Sequence, residues 1–158
     1  MEKELNNKQI LAMVCFNERI TFHLEDESRL EIDNRNSFWR LRSDKEIIAS
    51  SDDFSARSFS DYCQLDGPDF WPMDNVDELE DMSFDMDDDE DQLEKMFKAL
   101  DAHADEKVQA IMGALEGQKI VKAETSDMGD LSLSFENGML FELFIVYSQR
   151  KTPFRYYS

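Results

Sequence analysis

Residues Ile20–Ile32 read ITFHLEDESRLEI, and residues Leu131–Leu143 read LSLSFENGMLFEL. The two stretches align without a gap. Ile20, Phe22 and Leu24 stand over Leu131, Leu133 and Phe135, Glu25 over Glu136, and Leu30-Glu31-Ile32 over Phe141-Glu142-Leu143. Both alternate apolar and polar residues, the period of a half-buried strand. Both break at a turn, Asp26-Glu27 in the first and Asn137-Gly138 in the second. Asn-Gly suits a type I′ hairpin, where both central residues need positive φ. Asp-Glu suits it less, which predicts a looser loop in the first hairpin.

The likeness continues on both sides. Upstream, Leu5, Asn7, Ile10 and Leu11 parallel Leu115, Gly117, Ile120 and Val121, one residue out of register with the hairpins. Downstream, Trp39-Arg40-Leu41 is similar to Phe154-Arg155-Tyr156. Each half therefore reads as a strand, a hairpin and a final aromatic strand. Ile47 to Ala49 is expected to extend the first sheet.

Between the halves the texture changes. From Ser50, SSDDFSARSFSDYCQLDGPDFWPMDN has no sustained period and reads as loop. From Asp74 to Glu94 there are twelve acidic residues and no Lys or Arg. Helical spacing follows. Leu93, Met96, Phe97 and Leu100 form one apolar stripe, and Val108, Ile111, Met112 and Leu115 form a second. Both are expected to face the core. His103 falls in the connection between the stripes, and Gly117 is placed to end the second helix. Asp89, Glu90 and Asp91 suit a first helical turn, where negative charge is favoured.

The expected fold is α+β in one domain, 1–158. It is mainly antiparallel sheet from two duplicated hairpin halves, with one or two helices on one face. The first β half is 5–49, the acidic loop insertion 50–92, the helical segment 93–116 and the second β half 117–158. A chain of 158 residues buries roughly 70% of its unfolded surface.

Charge narrows the partners. The 36 acidic residues against 17 Lys and Arg give a formal net charge of -19. Such a surface repels nucleic acid and anionic lipid and favours cationic partners, while also serving solubility. No apolar run reaches the ~18 residues that cross a membrane. The opening residues do not read as a signal peptide. Cys15 and Cys63 form neither a CxxC pair nor a disulfide framework, which fits a reducing, cytoplasmic location. Neither has basic neighbours that would stabilise a thiolate.

Catalytic patterns do not emerge. His23, between Phe22 and Leu24, faces away from both, and neither His23 nor His103 joins a recognisable triad. No P-loop, GxSxG or dinucleotide fingerprint occurs. Asp85, Asp87 and Asp89 fit the first positions of a calcium loop, but Glu90 stands where Gly is needed and Met96 where Glu is needed. No cofactor and no metal is expected.

The stretch LEGQKIVKAETSDMGDLSLSFENGMLFELF, Leu115–Phe144, with a weaker copy over Ile10–Leu41, resembles the small immunity proteins of bacterial polymorphic toxin and contact-dependent growth inhibition systems. The acidic insertion departs from that pattern. The resemblance implies a cytoplasmic, non-enzymatic protein that binds and blocks a toxin domain. Many such toxins are nucleases, which are basic. Charge complementarity would then supply on-rate and specificity. Phe70 and Trp71, between Pro68 and Pro72, are candidate interface anchors. The candidate partner-binding carboxylates are Asp74, Asp77, Glu78, Glu80 and Asp81, then Asp85, Asp87, Asp88, Asp89 and Glu90. Trp71 covering the protein's own core is the plain alternative. A nucleic-acid mimic that competes for a DNA- or RNA-binding protein, an enzyme of unseen type and a non-catalytic scaffold are the other functional readings.

Overall fold

The computed structural model describes residues 1–16, 19–34, 37–54, 86–145 and 152–158, and of 86–93 the backbone only. The chain divides into two units, 1–51 with 105–158, and 52–104. The first unit holds all the strands described below.

The first unit begins with a short helix, α1 (Glu2–Leu5). Strands β1 (Ile10–Phe16), β2 (Arg19–Leu24), β3 (Arg29–Asp33), β4 (Ser37–Arg42) and β5 (Ile47–Ser50) follow. After helix α2 (Met86–Leu115) come β6 (Ile120–Thr125), β7 (Leu131–Phe135), β8 (Leu140–Ile145) and β9 (Phe154–Tyr157). The fold is α+β, as expected, but it has two antiparallel sheets rather than one. Their strand orders are β1-β2-β3-β9 and β5-β4-β8-β7-β6.

Each sheet thus combines a three-strand meander from one half with terminal strands of the other, β9 in the first sheet and β4 with β5 in the second. β4 leaves the first meander and pairs with β8, and β9 leaves the second and pairs with β3. β5 pairs with β4, so Ile47–Ala49 extends the second sheet rather than the first. The reason lies in edges. β4 and β5 form a hairpin with each other, and β4 finds its other neighbour across the fold. Alternation states which face of a strand is buried, not which edge it joins.

The alternation itself is realised. Ile20, Phe22, Leu24, Leu30 and Ile32 are buried, as are Leu131, Leu133, Phe135, Phe141 and Leu143. Register matches as well: Ile20 lies opposite Ile32 and Phe22 opposite Leu30, while Leu131 lies opposite Leu143 and Leu133 opposite Phe141. Phe22 meets Phe141 edge to face across the sheets at 5.5 Å, and Trp39 stacks on Phe141 at 5.5 Å. The core therefore sits between the two inner faces. Trp39, fully buried, donates its indole N–H to Asn34 Oδ1 at 2.7 Å.

The flanking positions also correspond. Asn7 and Gly117 both have positive φ, 68° and 78°. The Asn7 N–H donates to Ile120 O, and the Gly117 N–H donates to Ile10 O. Ile10 N–H donates to Gln118 O, and Ile120 N–H to Lys8 O. Both β1 and β6 carry a register break at their start, over Ile10/Ala12 and Ile120/Lys122.

The hairpin loops differ from the type I′ expectation. Glu27 N–H donates to Leu24 O, and Gly138 N–H to Phe135 O. Only Glu27 and Gly138 have positive φ in these loops, 66° and 86°. Each loop is therefore a four-residue turn whose last residue is left-handed, the three-residue hairpin connection. Asp26 Oδ1 accepts from the Ser28 N–H and Asn137 Oδ1 from the Met139 N–H, so both turns are held by the same side-chain bond. The first loop is not looser. Its penalty is local instead, because Glu27 carries a Cβ in the left-handed region. Replacing Glu27 with Gly is expected to stabilise the domain by about 0.5–1 kcal/mol, and Glu27→Ala to give no such gain. Urea midpoints of the two variants check this.

The helix is the other departure. The two apolar stripes belong to one 30-residue helix, so His103 lies inside α2 rather than in a connection. Residues 86–92 are helical rather than loop, and 51–54 form a 3-10 turn. The remainder of the expected loop, 55–85, lies outside the described residues. In the second stripe Ile111 and Leu115 are buried; in the first Met96 is buried but Phe97 is half-exposed. Gly117 follows the helix end as expected.

Candidate functional site

Phe70, Trp71, Asp74, Asp77, Glu78, Glu80, Asp81 and Asp85 lie outside the described residues. Asp87, Asp88, Asp89 and Glu90 fall in the opening turns of α2. Negative charge there is favoured by the exposed N–H groups of the helix start. A long acidic run can therefore continue into regular structure.

Charge is distributed unevenly along the chain. The unit of residues 52–104 contains 18 acidic and 3 basic residues, a formal charge of -15. The remaining residues contain 18 acidic and 14 basic, a formal charge of -4. The β unit is nearly balanced, and the acidity belongs to the segment between its halves. In that segment His103 Nε2 and Asp53 Oδ1 lie 2.9 Å apart. Both side chains are mostly buried. A carboxylate can orient an imidazole in this way for proton transfer, and the same bond ties a turn to a helix. Sequence reading missed it because fifty positions separate the partners. Among the described residues no group of three or more His, Cys, Asp or Glu is placed to hold a metal ion.

The β unit carries polar clusters of its own. Lys8 Nζ donates to Asp26, to Ser28 Oγ at 3.4 Å and to the Tyr156 hydroxyl at 2.7 Å. The hydrogen bond to Asp26, then that to Tyr156, pushes the Lys8 ammonium above its ordinary range. The same Lys8 bond, helped by the Ser28 hydroxyl, holds the Asp26 carboxyl at about 2, below its ordinary 3.8. A lysine acting as nucleophile or base needs the opposite shift. The cluster is a clamp that joins the N-terminal segment, the first hairpin turn and the last strand.

A carboxylate whose folded pKa is depressed stabilises the fold above its unfolded pKa and loses that contribution as pH falls through the folded value. The Asp26 contribution is therefore full above about pH 4 and fades toward pH 2. Thermal melts across this window are expected to show a shallower acid decline for Asp26→Asn than for the parent chain.

The outer sheet faces place Arg beside Glu. Arg40 Nη2 donates to Glu142 at 2.9 Å, and Arg42 Nε donates to the other carboxylate oxygen. Burial pushes Glu142 up, but the bonds from Arg40 and Arg42 outweigh it and hold the carboxyl below its ordinary range. Phe38 stacks on Phe144 at 6.3 Å, and Arg40 lies 5.6 Å from the Phe144 ring. On the first sheet Arg29 donates to Glu31 at 3.0 Å and lies over Tyr157 at 4.4 Å. An open cleft of about 930 Å³ runs along this edge, lined by Arg19, Glu31, Asp33, Arg155 and Tyr157 among others. Both signs of charge line it, so it is not selective for anions. His23 is exposed on this sheet, facing away from Phe22 and Leu24 as expected. Burial raises the Cys15 thiol, which keeps it protonated and unreactive. Cys63 lies outside the described residues.

No helix among the described residues is long and apolar enough to cross a membrane. Compared with protein-family models, curated proteins and solved structures, the chain matches none.

Proposed function

We propose that this chain is a cytoplasmic immunity protein that binds and blocks a basic toxin domain, of which a nuclease is the leading case. The observation that carries the reading is the segregation of charge: residues 52–104 bear -15 of the total -19. Acidity that served only solubility would need no such concentration. The β unit, with its two related halves, is the rigid platform. The acidic segment, with Phe70 and Trp71 as apolar anchors and Asp74 to Glu90 as the charged surface, is the contact region. The inhibitor acts by occluding the toxin's phosphate-binding face, which must be basic to hold nucleic acid. It carries out no reaction and takes no cofactor.

The test is a pull-down of a basic nuclease toxin domain encoded beside this chain, at rising salt. Retention at low salt that falls steeply as salt increases is the expected result. No retention of any such domain at low salt would remove the basis of the reading.

A further inference from the structure

The first and last strands of a sheet expose a row of backbone donors and acceptors, and proteins blunt them with charge, brevity or cover. Among the described residues the four edges are β1, β9, β5 and β6. β6 is blunted twice. Its Ala123 N–H donates to Asn6 Oδ1 at 2.9 Å and its Thr125 N–H to Glu2 Oε1 at 2.8 Å. Its outward residues Lys122 and Glu124 form an ion pair at 2.7 Å. β5 is four residues long, and Lys107 Nζ donates to its Ile48 O. β9 is also four residues and carries Arg155 outward.

Among the described residues β1 has none of these devices. It is seven residues, ILAMVCF, without a charge. By the matching register of β1 on β2 and β6 on β7, Met13 and Cys15 stand where Ala123 and Thr125 stand. Their N–H groups therefore point out of the sheet. The places of Asn6 and Glu2 are taken by Glu116 and Met112. Among the described residues no side chain accepts from Met13 or Cys15. Where β6 has Lys122 and Glu124, β1 has Ala12 and Val14, and Phe16 follows. Val14 is 49% exposed and Phe16 72%.

We propose that β1 pairs antiparallel with β1 of a second copy, about a two-fold axis through Val14. That register joins Met13 to Cys15 of the other copy, so the free donors and acceptors satisfy one another. It sets Val14 against Val14 and small Ala12 against large Phe16 on the outer face. The strand is neutral, so self-pairing brings no like charges opposite one another, which a chain of net charge -19 could not offer at many places. The result is a continuous eight-stranded sheet across an isologous dimer.

The dimer responds to salt in the opposite sense from the toxin complex. Salt screens the repulsion between two acidic copies and favours pairing, whereas it weakens a complex held by opposite charge. Failure of one proposal is thus separable from failure of the other. The experiment is light scattering after size exclusion of the full chain over a concentration series, at low and high salt. A dimer fraction that rises with concentration and with salt is expected. Val14→Lys sets two ammonium groups opposite each other and is expected to leave a folded monomer whose melt no longer depends on protein concentration, while Val14→Thr keeps the dimer.

Register is read by cross-linking in a Cys15→Ser, Cys63→Ser background. Val14→Cys is expected to oxidise to a linked dimer, because its two copies face each other within disulfide reach, whereas Ala12→Cys lies too far from its own copy to link. A monomer at every concentration, a dimer unaffected by Val14→Lys, or linking by Ala12→Cys in place of Val14→Cys would overturn the proposal. So would a monomeric chain whose Val14→Lys variant loses a toxin domain instead.

Discussion

Replacing the acidic residues from Asp74 to Glu90 with Asn and Gln is expected to slow association with a basic partner by about 10- to 1000-fold. The magnitude follows from long-range steering. Ten carboxylates lie in this stretch, and together they act on a cation before contact is made. Dissociation is expected to change less, because apolar contacts such as those proposed for Phe70 and Trp71 persist. The loss of on-rate with salt should become shallower in the same variant, since ten of the eighteen acidic residues of the 52–104 segment would be neutral. Stopped-flow association rates at two ionic strengths measure both effects. The β unit should melt as before or slightly higher, as self-repulsion is relieved. An unchanged rate would leave the acidity with a role in solubility alone, which is the scaffold reading.

Phe141→Ala should produce the largest loss of stability, about 3–5 kcal/mol. Phe141 is fully buried and bridges the two sheets, edge to face with Phe22 and stacked on Trp39. Removing the ring leaves a cavity bounded by two other aromatics on strands that are hydrogen-bonded in place, so little collapse can follow. A domain of this kind has a total stability of about 5–15 kcal/mol, so the loss is a large part of it. Denaturant midpoints at constant slope give the value. Phe141→Leu keeps most of the volume and should lose much less. A loss under about 1 kcal/mol for the alanine variant would mean that the sheets can close over the gap, against the packing described.

The composition of the proposed contact surface is legible in the residues alone. The acid content between Asp74 and Glu94 is plain in the residues, and so is its lack of Lys and Arg. The structure adds that this acidity continues into α2, and that the unit around it holds most of the net charge. The Lys8–Asp26–Tyr156 clamp and the Asp53–His103 pair were not legible. Their members are far apart along the chain, and single polar residues carry no period that would announce a partner. His103 was misplaced for a related reason. Two apolar stripes separated by polar residues read as two helices, yet Asp101, Ala102, Ala104, Asp105 and Glu106 all tolerate helical geometry, so the helix runs through.

The paired stretches Ile20–Ile32 and Leu131–Leu143 show where the division falls. Period-two alternation and a turn at matching positions suffice for two hairpins, for their inward residues and for the register within each. These are short-range matters, settled by neighbours a few residues away. The loop type needed the fold, because one left-handed residue per loop is a backbone outcome that Asn-Gly and Asp-Glu can both reach. The exchange of β4 and β9 between the meanders needed it most. An apolar face can be buried against any complementary face, and the choice of edge depends on which donors and acceptors remain open once both meanders have formed.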